Sequence, residues 1–203
     1  IQVIMNVESW MVTDLVTIGK EAGIRDALTV MKKFSIRHLP VVEGGLFIGL
    51  VTSGDLKQAI LASMLETLKV GDLMLRNPIT ITRDTSLEKA ARIIYEKNIG
   101  CLPVVESGKV AGIITIKDIL KAFIEIMGVL KSGSRIDVVL KGVHGSFDEV
   151  VSIIESKGGY IISAGMTING DENAHHFRIS GGDTAAIAEE LIQLGYRGVR
   201  VVD

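Results

Sequence analysis

Shifted by 63 positions, the amino-acid sequence falls onto itself without a gap. Val7 and Met11 meet Val70 and Met74, and Thr17-Ile18 meets Thr80-Ile81. Ile36-Arg37-His38-Leu39-Pro40-Val41-Val42-Glu43 meets Ile99-Gly100-Cys101-Leu102-Pro103-Val104-Val105-Glu106. Gly49, Thr52 and Asp55 meet Gly112, Thr115 and Asp118. Roughly 15 of about 50 aligned positions are identical, and two of the three prolines are partners. The chain therefore uses one supersecondary unit twice. In each copy an extended segment precedes a helix, marked by Ile24, Ala27, Leu28 and Met31 or by Leu87, Ala90, Ala91 and Ile94 at helical spacing. Two apolar strands follow, Leu39–Val42 with Ile48–Val51 and Leu102–Val105 with Ala111–Ile114, each pair joined by a glycine turn and followed by a closing helix. Two such strands are too little sheet to stand alone, so the paired copies form the folding unit.

Composition narrows the class. Of 203 residues 47% are hydrophobic but only 4% aromatic, so the cores are aliphatic. No apolar run reaches the ~18 residues of a bilayer span; Ile119–Leu130 carries Lys121 and Glu125. No membrane partner is expected. A net charge of −2 argues against a general nucleic-acid binder. The single cysteine excludes a disulfide framework and fits a reducing compartment. With no signal-peptide pattern, a cytoplasmic location is expected. The chain begins at Ile1, which leaves its true start open.

An apolar residue followed by Leu-Pro-Val-Val, a turn and Gly-h-h-Thr-x-x-Asp (h, apolar), present twice from about Ile4 to Leu130, resembles the CBS domain, which occurs in tandem as a Bateman module. After the linker Lys131-Ser132-Gly133-Ser134 the pattern changes. Ile136–Leu140 reads as a strand, Phe147, Val150, Val151 and Ile154 as a helix face, and Gly158-Gly159 as its end. Tyr160–Ile168 and Phe177–Ser180 flank a turn at Asn169-Gly170-Asp171. Ile187, Leu191 and Leu194 mark a second helix, and Val199 and Val201 a last strand. This βαββαβ order is ferredoxin-like. Its size and Gly145 before a helix resemble an ACT domain, although Gly142-Val143-His144-Gly145 lacks that family's polar residue and proline. The expected fold is α+β, with CBS domains at 1–67 and 68–130 and an ACT domain at 134–203. The order resembles acetoin-utilisation-type CBS–ACT proteins. Residues 1–131 carry net +2 and the remainder net −4, which favours the repeat pair as host for a phosphate.

Thr52 and Asp55, like Thr115 and Asp118, have the spacing of a helix N-cap, with the carboxylate in the first turn. The same geometry lets a carboxylate accept from both ribose hydroxyls, and lets Thr and backbone N–H groups meet a phosphate. The CBS resemblance implies that nucleotide-binding role for Thr52, Asp55, Thr115 and Asp118, with backbone contacts to an adenine from Thr17-Ile18 and Thr80-Ile81. Basic residues before Leu-Pro-Val-Val touch phosphate in some CBS proteins, which implies Arg37 and His38; a solvated Arg and a partly buried His are the plainer alternative. Since the second copy has Gly100-Cys101 there, the two clefts are expected to be unequal. The ACT resemblance implies His144 and Gly145 for an amino acid.

The expected ligand is AMP, ADP, ATP or a related adenosyl compound, with no obligatory cofactor. Cys101 reads as packing. His175-His176 face opposite ways on a strand and make a poor chelating pair, so no metal is expected. No nucleophile–base motif appears, so no enzyme is expected. The expected function is a regulatory ligand sensor, with a scaffold of vestigial pockets as the alternative. An apolar helix surface of Ile60, Leu61, Met64, Leu65 and Leu68 suggests a homodimer, with a protein target as a further partner.

Overall fold

The computed structural model describes residues 5–62, 68–140, 146–169 and 172–202. His144, Gly145, Met64, Leu65 and the turn residues Gly170-Asp171 lie outside them. The chain forms two compact units, Ile1–Leu120 and Lys121–Asp203.

In the first unit a 3-10 turn (Val7–Ser9) leads to β1 (Ile18–Gly19), α1 (Ile24–Lys33), β2 (His38–Glu43), β3 (Leu46–Thr52) and α2 (Ser53–Ala62). The second copy runs α3 (Val70–Leu73), β4 (Leu75–Arg76), a bridge at Ile81, α4 (Leu87–Lys97), β5 (Cys101–Glu106), β6 (Lys109–Thr115) and α5 (Ile116–Ile126). Both ends of β5 and of β6 lie 63 residues beyond those of β2 and β3. Even the β-bulge recurs, between Val41 and Val42 and between Val104 and Val105. Ile24, Ala27 and Met31 are buried on α1, as are Leu87, Ala90 and Ile94 on α4. An ion pair from β1's flank to the end of β2, Lys20–Glu43 at 2.7 Å, recurs as Arg83–Glu106 at 2.8 Å.

The copies are not side-by-side domains. Each sends its leading segment onto the other. β4, which opens the second copy, pairs with β3 of the first, Leu75 opposite Leu50. Val12, which opens the first copy, bridges to Ile113 of the second through hydrogen bonds of 2.9 and 3.0 Å. Val70 and Met74 are buried in the first copy's core with Ile18, Leu39, Val41, Val51 and Leu56. The fit depends on glycine. A Cβ on Gly49 would lie 2.8 Å from the Leu75 carbonyl and 2.9 Å from Met74 Sδ; one on Gly112 would lie 2.5 Å from Met11 Sδ. Leu50 and Ile113, equivalent residues, meet beside Cys101 in a small cluster between the two sheets.

The second unit takes in the C-terminal half of α5, followed by β7 (Ser134–Leu140), α6 (Phe147–Ser156), β8 (Tyr160–Asn169), β9 (Glu172–Ser180), α7 (Thr184–Gln193) and β10 (Arg197–Val202). The four strands form an antiparallel sheet of order β10-β7-β9-β8, which gives the expected βαββαβ topology. Ile136, Val138, Phe177 and Ile179 on the sheet are buried with Val150, Ile154, Ile187 and Leu191 from the helices. Four readings need correction. Ser134 belongs to β7 and not to a linker, and β9 begins five residues before Phe177. Leu194 is the C-cap of α7 and 51% exposed, outside the buried stripe, whereas Phe147, 44% exposed at the start of α6, packs its ring on buried Phe177 at 5.2 Å, as its place on that helix face predicts. Leu68 packs against the first copy's core and is not free surface. No helix among the described residues is long and apolar enough to cross a membrane.

The exchange predicts one cooperative transition for the repeat pair. Gly49→Ala should destabilise it by about 1–3 kcal/mol through overpacking. Trp10, the only tryptophan, lies in the segment that docks on the other copy. Its fluorescence midpoint in urea should shift with the far-UV circular dichroism midpoint. A Trp10 transition that stays in place while the dichroism shifts would refute the coupling.

Candidate functional site

The repeated strand-to-helix corners place the polar residues. β3 ends at Thr52 and β6 at Thr115, and a helix starts at the next residue of each. Ser53 N–H donates to the Arg37 carbonyl at 2.9 Å, and Ile116 N–H to the Gly100 carbonyl at 3.2 Å, so both corners are pinned to the strand beside them. Thr115 donates to Asp118 Oδ2 from its hydroxyl at 2.6 Å and from its backbone N–H at 2.9 Å, and Asp118 N–H returns to Thr115 Oγ1 at 3.4 Å. Thr52 and Asp55 repeat the hydroxyl–carboxylate bond at 2.7 Å and the return bond at 3.3 Å. These are reciprocal caps. Each cap uses only one carboxylate oxygen; Oδ1 of Asp55 and of Asp118 has no hydrogen bond among the described residues. The threonines are more committed. A hydroxyl has a single hydrogen to donate, and each gives it to its aspartate. Asp118 is half-buried, whereas Asp55 is exposed.

Thr17 and Thr80 are exposed, and Ile18 and Ile81 are buried beside them. Ile81 donates to the Pro103 carbonyl at 3.1 Å and accepts from Val105 at 2.9 Å, so both of its backbone groups serve the sheet. β1 holds Ile18 in the same parallel register, opposite Val41.

Arg37 and His38 are adjacent in sequence but do different things. A Cβ on Gly100 would lie 2.7 Å from His38 Nε2, so the imidazole lies against the other copy at the position equivalent to Arg37. Burial, with the Arg37 charge adding to it, holds the imidazole below its usual pKa; Asp55 opposes this weakly. A neutral imidazole is a poor phosphate ligand at neutral pH. Arg37 is exposed and lines a cleft with Lys32 and Lys57. Neither lysine belongs to a motif. The repeat register is the signal that marks them, since the second copy has Tyr95 and Leu120 at those positions.

Cys101 is buried and its thiol is pushed up to about 12 by desolvation, an inert packing residue. In the second unit His176 Nδ1 lies 2.7 Å from Asp137 Oδ1 and its Nε2 lies 2.8 Å from Thr167 Oγ1, while His175 meets the edge of Phe147 at 6.2 Å. The two histidines face opposite sides of the sheet. Among the described residues no three His, Cys, Asp or Glu side chains gather in a group fit for a metal.

Comparison with known proteins agrees with this architecture. The AcuB protein from Vibrio cholerae superposes with a TM-score of 0.60 at 26% identity, over 64% of this chain and 100% of that one. The CBS domain pair of protein MJ0100, in complex with 5′-methylthioadenosine and S-adenosyl-L-methionine, gives 0.55 at 30% identity, over 59% and 96%. CBSX2 in complex with AMP gives 0.53 at 29% identity, over 60% and 97%. Among curated proteins, an inosine-5′-monophosphate dehydrogenase from Korarchaeum cryptofilum is 34% identical over 113 residues, 55% of this chain and 23% of that protein. A homoserine O-acetyltransferase from Methanococcus vannielii is 34% identical over 116 residues, 56% and 24%. The chain thus spans about a quarter of the length of these curated relatives. The CBS domain profile matches residues 7–62 and again 70–125, more than half of the chain, and the chain belongs to the CBS-domain family as a tandem pair.

Proposed function

We propose that the repeat pair is a regulatory sensor that holds an adenine nucleotide or a related adenosyl ligand at its Thr–Asp corners. The observation that carries this is the pair of carboxylate oxygens left over after capping, Oδ1 of Asp55 and of Asp118. A carboxylate oxygen accepts two hydrogen bonds, as the adjacent hydroxyls of a ribose require. Thr52 and Thr115 orient the carboxylates. Thr17 and Thr80 flank the adenine, with Ile18 and Ile81 behind them. His38 contributes shape and Arg37 is left outside, so the two form no joint phosphate grip. Support comes from the adenosine-derived ligands in the MJ0100 and CBSX2 structures. The half-buried Asp118 corner is the stronger of two unequal sites.

The division 1–67, 68–130 and 134–203 completes the proposal, with the last part an ACT domain that pairs two copies or takes a second ligand. Its strand order supports the fold. Exposed Tyr160, Met166 and Ile168 on the edge strand β8 support pairing. A cytoplasmic setting suits the lone buried thiol. The competing reading is a scaffold, favoured by the Thr–Asp bonds, which suffice as caps on their own.

Calorimetric titration separates the two. AMP should bind the intact chain, and Asp118→Ala should weaken it at least tenfold while costing about 1 kcal/mol of stability as a lost cap. No AMP or adenosine binding to the intact chain would leave the scaffold. Light scattering should give twice the chain mass; a monomer would remove the pairing role.

His38 adds a pH test. Its folded pKa lies below the unfolded value of about 6.5, so the unfolded chain takes up the proton first. Stability is full above that value and falls as pH drops through it toward the folded pKa. Urea midpoints should therefore decrease from pH 7.5 to 5.5, and His38→Gln should flatten that decrease. An unchanged slope in His38→Gln would show that this histidine is not the cause.

A further inference from the structure

We propose that the cleft between the end of α1 and the first turn of α2 is a second anion site, for a phosphate monoester with an apolar body, separate from the Asp55 corner. The cleft measures about 420 Å³, within the range of small-molecule sites. Lys32, Arg37 and Lys57 converge on it, with Ser35 and Ser53 between them. No acidic residue lines it, and none of the three cations has an ion-pair partner among the described residues. Leu28, Met31 and Ile36 form its apolar wall. Ser53 and Lys57, four residues apart, share one face of α2. Asp55, two residues on from Ser53, points about 200° away around the helix. Asp55 does not line the cleft, so an anion held there rests on a different set of residues from the Thr52–Asp55 corner.

The duplicated fold supplies its own control. At the equivalent place the second copy keeps the apolar wall, as Ala91, Ile94 and Ile99. It replaces all three cations, with Tyr95 for Lys32, Gly100 for Arg37 and Leu120 for Lys57, and Ser53 becomes Ile116. The strand-to-helix corner forms in both copies, so the architecture does not require the charges. Three like charges without counter-charge weaken the fold by mutual repulsion. Their convergence in one copy is accounted for by an anion that supplies the missing charge. Arg offers a planar pair of donors to phosphate and the lysines two point charges, while the wall buries an apolar substituent.

The test uses the full chain at low ionic strength, with inorganic phosphate and phenyl phosphate as calorimetric probes. Both should bind, phenyl phosphate several-fold more tightly, and added salt should weaken both. The triple variant K32Y/R37G/K57L, which installs the second copy's residues, should lose at least tenfold for each probe. Asp55→Ala with Asp118→Ala should leave both unchanged, which keeps this result independent of the nucleotide reading. Should the triple variant not fold, Lys57→Leu alone, on exposed helix surface, should lose at least threefold. The proposal is overturned by absence of saturable binding, by full binding in the charge-replaced variants, by equal affinity for the two probes, or by loss in the double aspartate variant.

Discussion

The repeat pair depends on a reciprocal exchange. The segment that opens each copy completes the other, through Val12 on Ile113 and Leu75 on Leu50, with Met11 and Met74 seated over Gly112 and Gly49. A two-stranded sheet under two helices buries too little to stand alone. The exchange adds a strand edge and a methionine to each core. It also makes the stability of one copy a property of both, because loss of either lead-in opens the partner's core and not its own. A ligand that bridges the copies would act on a structure already coupled in this way, as a regulatory role requires.

Duplication makes the differences between the copies informative. Where they agree, as in the bulges, the Lys20–Glu43 and Arg83–Glu106 ion pairs and the Thr–Asp caps, the shared fold is sufficient explanation. Where they disagree, packing explains some cases and leaves others. Gly100 in place of an arginine is explained, because His38 of the first copy fills the space that a side chain would take. Lys32 and Lys57 have no such structural counterpart.

Much of this was legible in the sequence for a physical reason. The 63-residue register specifies strands, turns and corners jointly, and buried apolar strands carry a strong local signal. The βαββαβ order of the second unit was legible for the same reason. The exchange of lead-ins was not. Val12 and Ile113 meet in a single bridge, and so short an extended segment has no periodicity to reveal its partner. Leu194 fits a helical stripe yet is half exposed, since periodicity gives the direction of a side chain and not the residue at which the helix stops. Arg37 and His38 looked like one basic pair. Their separation depends on the first residue of β2 facing the other copy while its predecessor faces the helices.

The Thr–Asp corner shows why capping and ligand binding are poor alternatives. A cap consumes Oδ2 and the threonine hydrogen, and it fixes the carboxylate plane against the first turn of the helix. A free aspartate would lose rotamer entropy on meeting a ribose; one already held by its cap loses little. The same bonds that stabilise the helix therefore preorganise Oδ1 as an acceptor. Asp118, with two donors from Thr115 and less solvent around it, is held more firmly than the exposed Asp55, whose oxygen competes with water for any partner. As acceptors the two corners are thus unequal in themselves, whatever residues stand around them.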